Sequence, residues 1–193
     1  MNKQSNTVHE HKIDPRILRT RRLLLDGFNE LLLEQKIIRK ITIADISERA
    51  GVNRVTFYAH FKDKYSLLYE WKRDLFKQIL DSKISNKQKS DNAFMENVID
   101  AVIEGVTLYN LYRRRVNEEY EPLFESAMQE ELTSTLQRAV NQDAITSIVQ
   151  FKFGVIFLSW AIFGSANEWS KSKSELSKED FKKQLMININ KLM

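Results

Sequence analysis

The sequence has little of what turns a chain back on itself: five glycines and two prolines in 193 residues. A sandwich or barrel of short strands draws its many turns chiefly from these two residue types, so their scarcity argues for an all-helical chain. Cysteine is absent altogether. That excludes a disulfide framework, a thiolate zinc site and a cysteine nucleophile, and it fits a reducing compartment, the cytoplasm. Three histidines occur, His9, His11 and His60. No glycine-rich phosphate loop, nucleophile elbow or helical histidine pair accompanies them, so neither an enzyme nor a bound cofactor or metal is expected. Long hydrophobic runs are missing too. The most apolar window, Phe153 to Ala166, is fourteen residues long, short of the ~20 a span needs, and reads as a buried helix rather than a membrane segment. Residues 1–13 contain no apolar stretch and are expected to be a disordered tail, neither signal peptide nor anchor.

What is present is the balance of a soluble globular chain, 42% hydrophobic and 29% charged. The formal charge of +4 conceals an asymmetry. Residues 1–90 hold nineteen Lys and Arg against eleven Asp and Glu, or +8, and residues 91–193 hold eleven against fifteen, or −4. A basic N-terminal half on an acidic remainder suits a partner carrying phosphates.

Periodicity and capping signals divide the chain. Asp14-Pro15 opens a first helix, with Ile17, Leu24, Phe28 and Leu31 on one face and its end near Gln35. Thr42, with Asp45 three positions on, is a variant capping box and starts a second helix that Gly51 stops. Asn53 caps a short third helix, Val55 to Phe61. A fourth follows from Asp63 to Ser82, striped by Leu68, Trp71, Leu75 and Ile79 on one side and by Tyr65, Tyr69 and Phe76 on another. The polar stretch 82–92 reads as the domain boundary. Beyond it Phe94, Val98, Ala101, Gly105, Leu108 and Tyr112 share one helix face, and Glu121-Pro122 opens a helix carrying Phe124, Met128, Leu132 and Leu136. The segment Ala144 to Lys171 has two stripes. Phe151, Val155, Leu158, Ile162 and Trp169 form one, and Val149, Phe153, Ile156, Trp160 and Phe163 the other, so it must be covered twice. Phe181, Leu185, Ile189 and Leu192 mark a last amphipathic helix.

Function is carried by residues 42–68. Two short helices joined by a glycine-containing turn make a helix-turn-helix, whose second helix is small and polar enough to enter a major groove. Ile43, Ile46, Ala50, Val52, Phe57 and Phe61 are spaced to hold the two helices at an angle. Asn53, Arg54, Thr56, Tyr58 and His60 are left outward, each able to donate a hydrogen bond. A bidentate Arg to guanine is the commonest base-reading contact, whereas Thr, Asn, Tyr and Lys side chains and helix N-termini more often meet phosphate.

This segment resembles the tetracycline-repressor (TetR) family of bacterial transcriptional regulators. Thr42, Ile46, Ala50-Gly51-Val52, Thr56, Tyr58, His60-Phe61, Lys64 and Leu67 match that family's pattern at fixed spacing. Ser47, Asn53 and Val55 depart from it, Val55 by adding bulk on the recognition helix. The resemblance implies that Thr42 and Lys64 are phosphate clamps, that Tyr58 and His60 contact the DNA backbone, and that Arg54, Val55 and Thr56 read bases beside the capping Asn53. It implies an all-α chain with a three-helix DNA-binding domain, residues 14–82 with the connecting helix, and a ligand-binding and dimerisation bundle over 92–193.

One recognition helix reads few base pairs, so a homodimer on a palindromic double-stranded operator is expected. Candidate dimer-interface residues are Phe151, Val155, Leu158 and Ile162 with Phe181, Leu185 and Ile189, although periodicity alone does not say which stripe meets the partner. Candidate lining for the pocket of an unidentified small-molecule effector is Tyr109, Tyr112, Phe124, Phe153 and Trp160. Arg113-Arg114-Arg115 reads as a surface run paired with Glu118, Glu119 and Glu121. The expected function is a repressor released by its effector through a shift of the helix 63–82. A ligand-dependent activator or coactivator, and an effector-less nucleoid-associated adaptor, remain the alternatives.

Overall fold

The computed structural model describes residues 14–34, 37–84, 92–112, 121–139, 148–172 and 176–192, without the side chains of Tyr112, Ile148 to Phe151 and Leu192. Eight α-helices and one 3-10 turn account for the order within these residues, and among them there is no strand. The chain forms two compact units, residues 1–64 and 65–193.

The first unit contains α1 (Pro15–Leu33), the 3-10 turn Ile38–Lys40, α2 (Ile43–Arg49) and α3 (Arg54–His60). Asp14 caps α1 by accepting from the Arg16 backbone N–H at 2.8 Å, and Pro15 takes the first helical position, where no donor is needed. The buried face of α1 is Leu24, Gly27, Phe28, Leu31 and Leu32. Ile17, expected on that face, lies about two turns before Leu24 and is 44% exposed. Gly27 is there for proximity: a Cβ would lie 3.1 Å from the Ala50 backbone nitrogen, so only glycine lets α1 approach the end of α2 this closely. Ile46, Ala50, Phe57 and Phe61 are buried as the helix-turn-helix spacing requires, while Ile43 and Val52 are half-buried.

The second unit takes almost all of α4 (Lys64–Lys83), together with α5 (Asn92–Tyr112), α6 (Glu121–Ala139), α7 (Ile148–Lys171) and α8 (Lys178–Leu192). By packing, α4 is thus part of this unit: Phe76, Ile79 and Leu80 share one core with α5, α6, α7 and α8. The division falls in the first turn of α4, not in the polar stretch 82–92, most of which lies outside the described residues. Helix α5 is central. Val98, Ile99, Ala101, Val102 and Val106 are wholly buried and Ile103 nearly so, leaving a single exposed stripe that carries Glu96, Glu104, Thr107 and Leu111. Ion pairs tie it to α8, where Asp100 receives Lys182 at 2.5 Å and Lys178 at 3.3 Å. No helix among the described residues is long and apolar enough to cross a membrane.

The expected tail 1–13 with His9 and His11, the arginine run 113–115 with Glu118 and Glu119, and the segment 144–147 lie outside the described residues.

Candidate nucleic-acid interface

The turn between α2 and α3 is built on Gly51, whose φ is +67°. The Val52 N–H donates to the Ser47 carbonyl at 2.9 Å and the Gly51 N–H to the Glu48 carbonyl at 3.0 Å, the paired bonds of a Schellman C-cap. A left-handed residue is needed there, and glycine adopts it without a Cβ clash. Thr42 caps the start of α2. Its hydroxyl accepts from the Asp45 N–H at 3.1 Å, while the Thr42 N–H and O–H both donate to Asp45 Oδ2, at 2.8 and 2.9 Å. Asn53 caps α3, its Oδ1 accepting from the Thr56 N–H at 2.7 Å and the Thr56 hydroxyl at 3.0 Å.

These caps sort the expected contact residues. Thr42 and Thr56 have given their hydroxyl donors to neighbouring side chains, so both shape the interface from within. Lys64 departs furthest from expectation. Its ammonium donates to the carbonyls of Ile38, Arg39 and Ile41 at 3.2, 3.3 and 3.1 Å, closing the C-terminal end of the 3-10 turn rather than standing out toward a phosphate. The physical reason is the concentration of carbonyl dipoles at the end of a turn, which attracts a cation within reach. His60 is half-buried and its carbonyl accepts from Arg21 Nη1 at 3.1 Å.

What remains outward is a compact edge. Arg54, Val55, Tyr58 and Ala59 are exposed, at positions i, i+1, i+4 and i+5 of α3. Val55 is 78% and Tyr58 57% exposed. Arg54 has no hydrogen-bond or ion-pair partner among the described residues, and its five guanidinium donors are unspent. Tyr58 leans its ring edge-on against the buried Phe57, centroids 5.6 Å apart, which fixes the direction of its hydroxyl. Two arginines that sequence reasoning overlooked brace this edge. Arg21 lies over the Phe61 ring at 4.6 Å while capping α3. Arg49 reaches back from α2 to Glu34 at 2.7 Å and Glu30 at 3.3 Å on α1, and the Glu34 hydrogen bond raises its already high pKa.

The second unit contains a cleft enclosing about 360 Å³, part of it open to solvent, lined by Trp71, Lys72, Leu75, Phe76, Ile79, Gly105, Tyr109, Phe124 and Met128. Two of the expected lining residues, Tyr109 and Phe124, are brought together there, stacked with centroids 3.5 Å apart and planes at 7°. A Cβ on Gly105 would lie 2.8 Å from Phe76 and 2.9 Å from Met128, so glycine lets these side chains close over α5. Tyr112 lies at the end of α5 with its side chain outside the description. Phe153 and Trp160 do not line the cleft. They stand on the outer face of α7, 66% and 53% exposed.

The stripe of α7 expected at a dimer interface is covered within the chain. Val155, Ile162, Leu185 and Ile189, expected at a dimer interface, are buried in the core of this single chain, with Leu158 and Phe181 packed against it. Phe151 has no described side chain. Phe153, Phe157 and Trp160 form the exposed face instead, and Gly154 and Gly164 beside them open onto empty space. Periodicity reports that two faces are apolar, but α5 and α8 cover the first.

Sequence reasoning also missed Lys72, which is 3% exposed. The signal was available: Leu68, Lys72 and Phe76 fall at i, i+4 and i+8 on a buried face. Burial lowers the Lys72 pKa to about 7, with Glu121 pulling the other way.

Comparison with known proteins agrees with the geometry of the first unit. Residues 31–70 match the profile of bacterial regulatory proteins of the tetR family. Over 59 residues the chain is 41% identical to the uncharacterized HTH-type transcriptional regulator YxbF of Bacillus subtilis (strain 168), covering 31% of this chain and 16% of that protein. It therefore spans only a small part of that relative's length. In fold it is similar to the TetR-family repressor AlkX of Dietzia sp. strain DQ12-45-1b, implicated in biodegradation of n-alkanes, at TM-score 0.53 and 19% identity over 89% of this chain and 94% of the other. It is likewise similar to RolR solved with the ligand resorcinol, at TM-score 0.53 and 15% identity over 92% of this chain and 89% of that one. That family comprises transcriptional regulators, not enzymes. Residues 31–70 are thus similar to the bacterial tetR family of regulatory proteins, and the described residues place that segment's helix-turn-helix in an all-helical fold.

Proposed function

We propose that the protein is a homodimeric repressor that reads a palindromic operator with the α3 helices of two copies and leaves it when a small molecule occupies the cleft of the second unit. The observation that carries the DNA-reading part is the outward edge of α3, where Arg54 and Tyr58 hold unspent donors on a helix whose own N-terminus is already capped. Arg54 is the guanine reader, Val55 packs against a thymine methyl, and Tyr58 with the half-buried His60 meets the phosphate backbone. Asn53 sets the start of the reading helix. Thr42, Thr56 and Lys64 shape the interface without touching the duplex.

The second copy docks on the face of α7 bearing Phe153, Phe157 and Trp160, three aromatics that a monomer would leave in water. The cleft is the effector seat, a reading supported by its apolar lining and by analogy with RolR, whose structure holds resorcinol. Because α4 runs unbroken from Lys64 to Lys83 and supplies five of the nine lining residues, an occupant that displaces α4 changes the separation of the two reading helices and loses the half-site register. A lined cleft also counts against an effector-less adaptor.

The test is selection of bound duplexes from a random DNA pool by the purified protein. A palindrome with half-sites about one helical turn apart is expected. A pool that yields no enriched sequence, or a single unpaired half-site, would overturn the reading.

A further inference from the structure

Beside the reading edge of α3 the first unit carries positive charge that its own carboxylates leave unanswered. Asp26 is paired with Arg22, and Glu30 and Glu34 with Arg49. Asp14 and Asp45 are committed to the caps of α1 and α2, and Asp63 is engaged within the protein. Glu48 is exposed at the far end of α2, six residues and roughly 9 Å from Thr42. Arg39 and Lys40 in the 3-10 turn and Lys62 after α3 are exposed, and their side chains have no hydrogen-bond or ion-pair partner among the described residues. The three are gathered at one place. Ile38 and Ile41 are buried on either side of the two turn residues, and Lys64, two residues beyond Lys62, holds the carbonyls of Ile38, Arg39 and Ile41. Its ammonium takes the inner side of the turn, so like charge keeps Arg39 and Lys40 outward. Arg16 and Arg19 are exposed as well, but on α1, five and two residues before the Arg21 that faces α3. At about 100° per residue they are turned roughly 140° to 160° away from it.

We propose that Arg39, Lys40 and Lys62 clamp the phosphodiester backbone bordering the groove that α3 enters. The inference rests on the DNA-reading proposal above and adds the contacts that hold the duplex in place, the role that resemblance gives to Lys64. Lys64 serves the clamp without being part of it: its charge goes to the turn, and the turn presents two others. Placement favours the backbone over the bases. Lys62 follows the C-terminal end of α3 and Lys64 draws the turn to that same end, beside Tyr58 and His60, whereas Arg54 stands at the opposite end, six residues and roughly 9 Å away. A DNA strand carries a charge about every 3.4 Å along the helix axis, so neighbouring cations can each meet a phosphate of their own. The turn is braced before the duplex arrives, and little entropy is lost in ordering it.

The experiment titrates the full chain onto double-stranded DNA by fluorescence anisotropy from about 0.05 to 0.3 M KCl, using the selected operator and an unrelated duplex of equal length. Arg39→Ala, Lys40→Ala and Lys62→Ala should each weaken both duplexes about three- to tenfold near 0.15 M salt and flatten the slope of log affinity against log salt by about one per bound copy. The preference for operator over unrelated DNA should not move. Arg39→Lys, Lys40→Arg and Lys62→Arg keep the charge and should keep the slope, as should Lys183→Ala, which removes an exposed cation of α8. With two copies bound, the unaltered protein should itself show a slope of about −5 or steeper, because three cations per copy neutralise six phosphates. That reading does not depend on any variant folding, and a shallower slope overturns the proposal. So does an unchanged slope in the three alanine variants, which would leave these cations to a partner other than DNA, or an equal flattening in Lys183→Ala. A palindrome selected from the DNA pool with unchanged slopes keeps the operator reading and removes the clamp. Flattened slopes without a selected sequence keep the clamp on DNA of any sequence and remove the operator reading.

Discussion

Replacing Lys72 with Met should stabilise the protein, and by an amount that depends on pH in a way no packing change can mimic. In the unfolded chain the amine titrates at 10.5, and in the folded cleft at about 7. Below pH 7 both states carry the proton and the folded state bears the whole cost of burying it. Between pH 7 and 10.5 the unfolded state is protonated and the folded state is not, so stability climbs with pH at up to ~1.36 kcal/mol per unit. Above 10.5 the cost is gone. Across the full interval of 10.5 down to 7 this amounts to about 5 kcal/mol. Met has no such titration and nearly the same volume.

The measured quantity is the difference in unfolding free energy between Lys72→Met and the unaltered protein. It should be largest at pH 6 to 7 and shrink by about 3 kcal/mol by pH 9.5. Urea denaturation followed by far-UV circular dichroism, at one protein concentration for both chains, supplies it. Groups remote from Lys72 titrate alike in the two proteins and cancel, and Glu121, which acts on Lys72, titrates in the acid range below the interval measured. A gap that stays constant within about 1 kcal/mol over this range, or that widens toward pH 9.5, would show that the lysine reaches water and that the reasoning from its burial is wrong.

Three further outcomes separate structural from contacting roles. Lys64→Ala removes three charged hydrogen bonds to carbonyls and should cost about 2 kcal/mol of stability; the slope of log affinity against log salt should not change, and a slope flatter by about one would return Lys64 to the phosphates. Gly51→Ala forces a side chain into φ +67° and should cost about 1–2 kcal/mol in urea denaturation; an unchanged midpoint would mean that the turn relaxes. Phe157→Glu puts a charge in the centre of the outer face of α7, where Phe157 is 58% exposed. Sedimentation should then find a folded monomer, and a dimer of unaltered affinity would send the second copy elsewhere.

How far the sequence could be read differs between the two units for a physical reason. In the head, local signals decide. Asp14-Pro15, Thr42 with Asp45, Gly51 and Asn53 are caps and stops that act within four residues, and each does in the structure what its type implies. Side-chain chemistry was less legible there, because a list of residues able to donate a hydrogen bond does not say which have already donated. Thr42 and Thr56 spend their hydroxyls on the caps and Lys64 its ammonium on a turn 23 to 26 residues away. Only with these commitments drawn does the contact surface shrink to Arg54, Val55, Tyr58 and Ala59.

In the second unit the same kind of reasoning found the helices and the buried faces of α5 and α6 but took the covered faces of α7 and α8 for an interface, and α7 makes the cause plain. A period of 3.6 identifies which residues share a face and says nothing about what covers it. Two stripes of similar hydropathy were present. The one bearing Val155 and Ile162 is taken by α5, α6 and α8 of the same chain; of the other, Phe163 is buried as well, and Phe153 and Trp160, with Phe157 beside them, are left exposed. The exposed face has the means to hold a second copy. Three side chains with more than half their surface free, each offering roughly 100 Å², give six across a two-fold axis, and at about 25 cal/mol per Å² their burial is worth on the order of 15 kcal/mol before the cost of association. A core stripe could not have served, since Val155, Ile162 and Ile189 would have to leave their own chain to meet another. The proposed dimer face and the proposed effector cleft therefore use different residues of the second unit. Of the residues expected around a pocket, Tyr109 and Phe124 line the cleft while Phe153 and Trp160 stand on the outer face of α7, and the buried Lys72 in the cleft wall is one that a search for aromatics passes over.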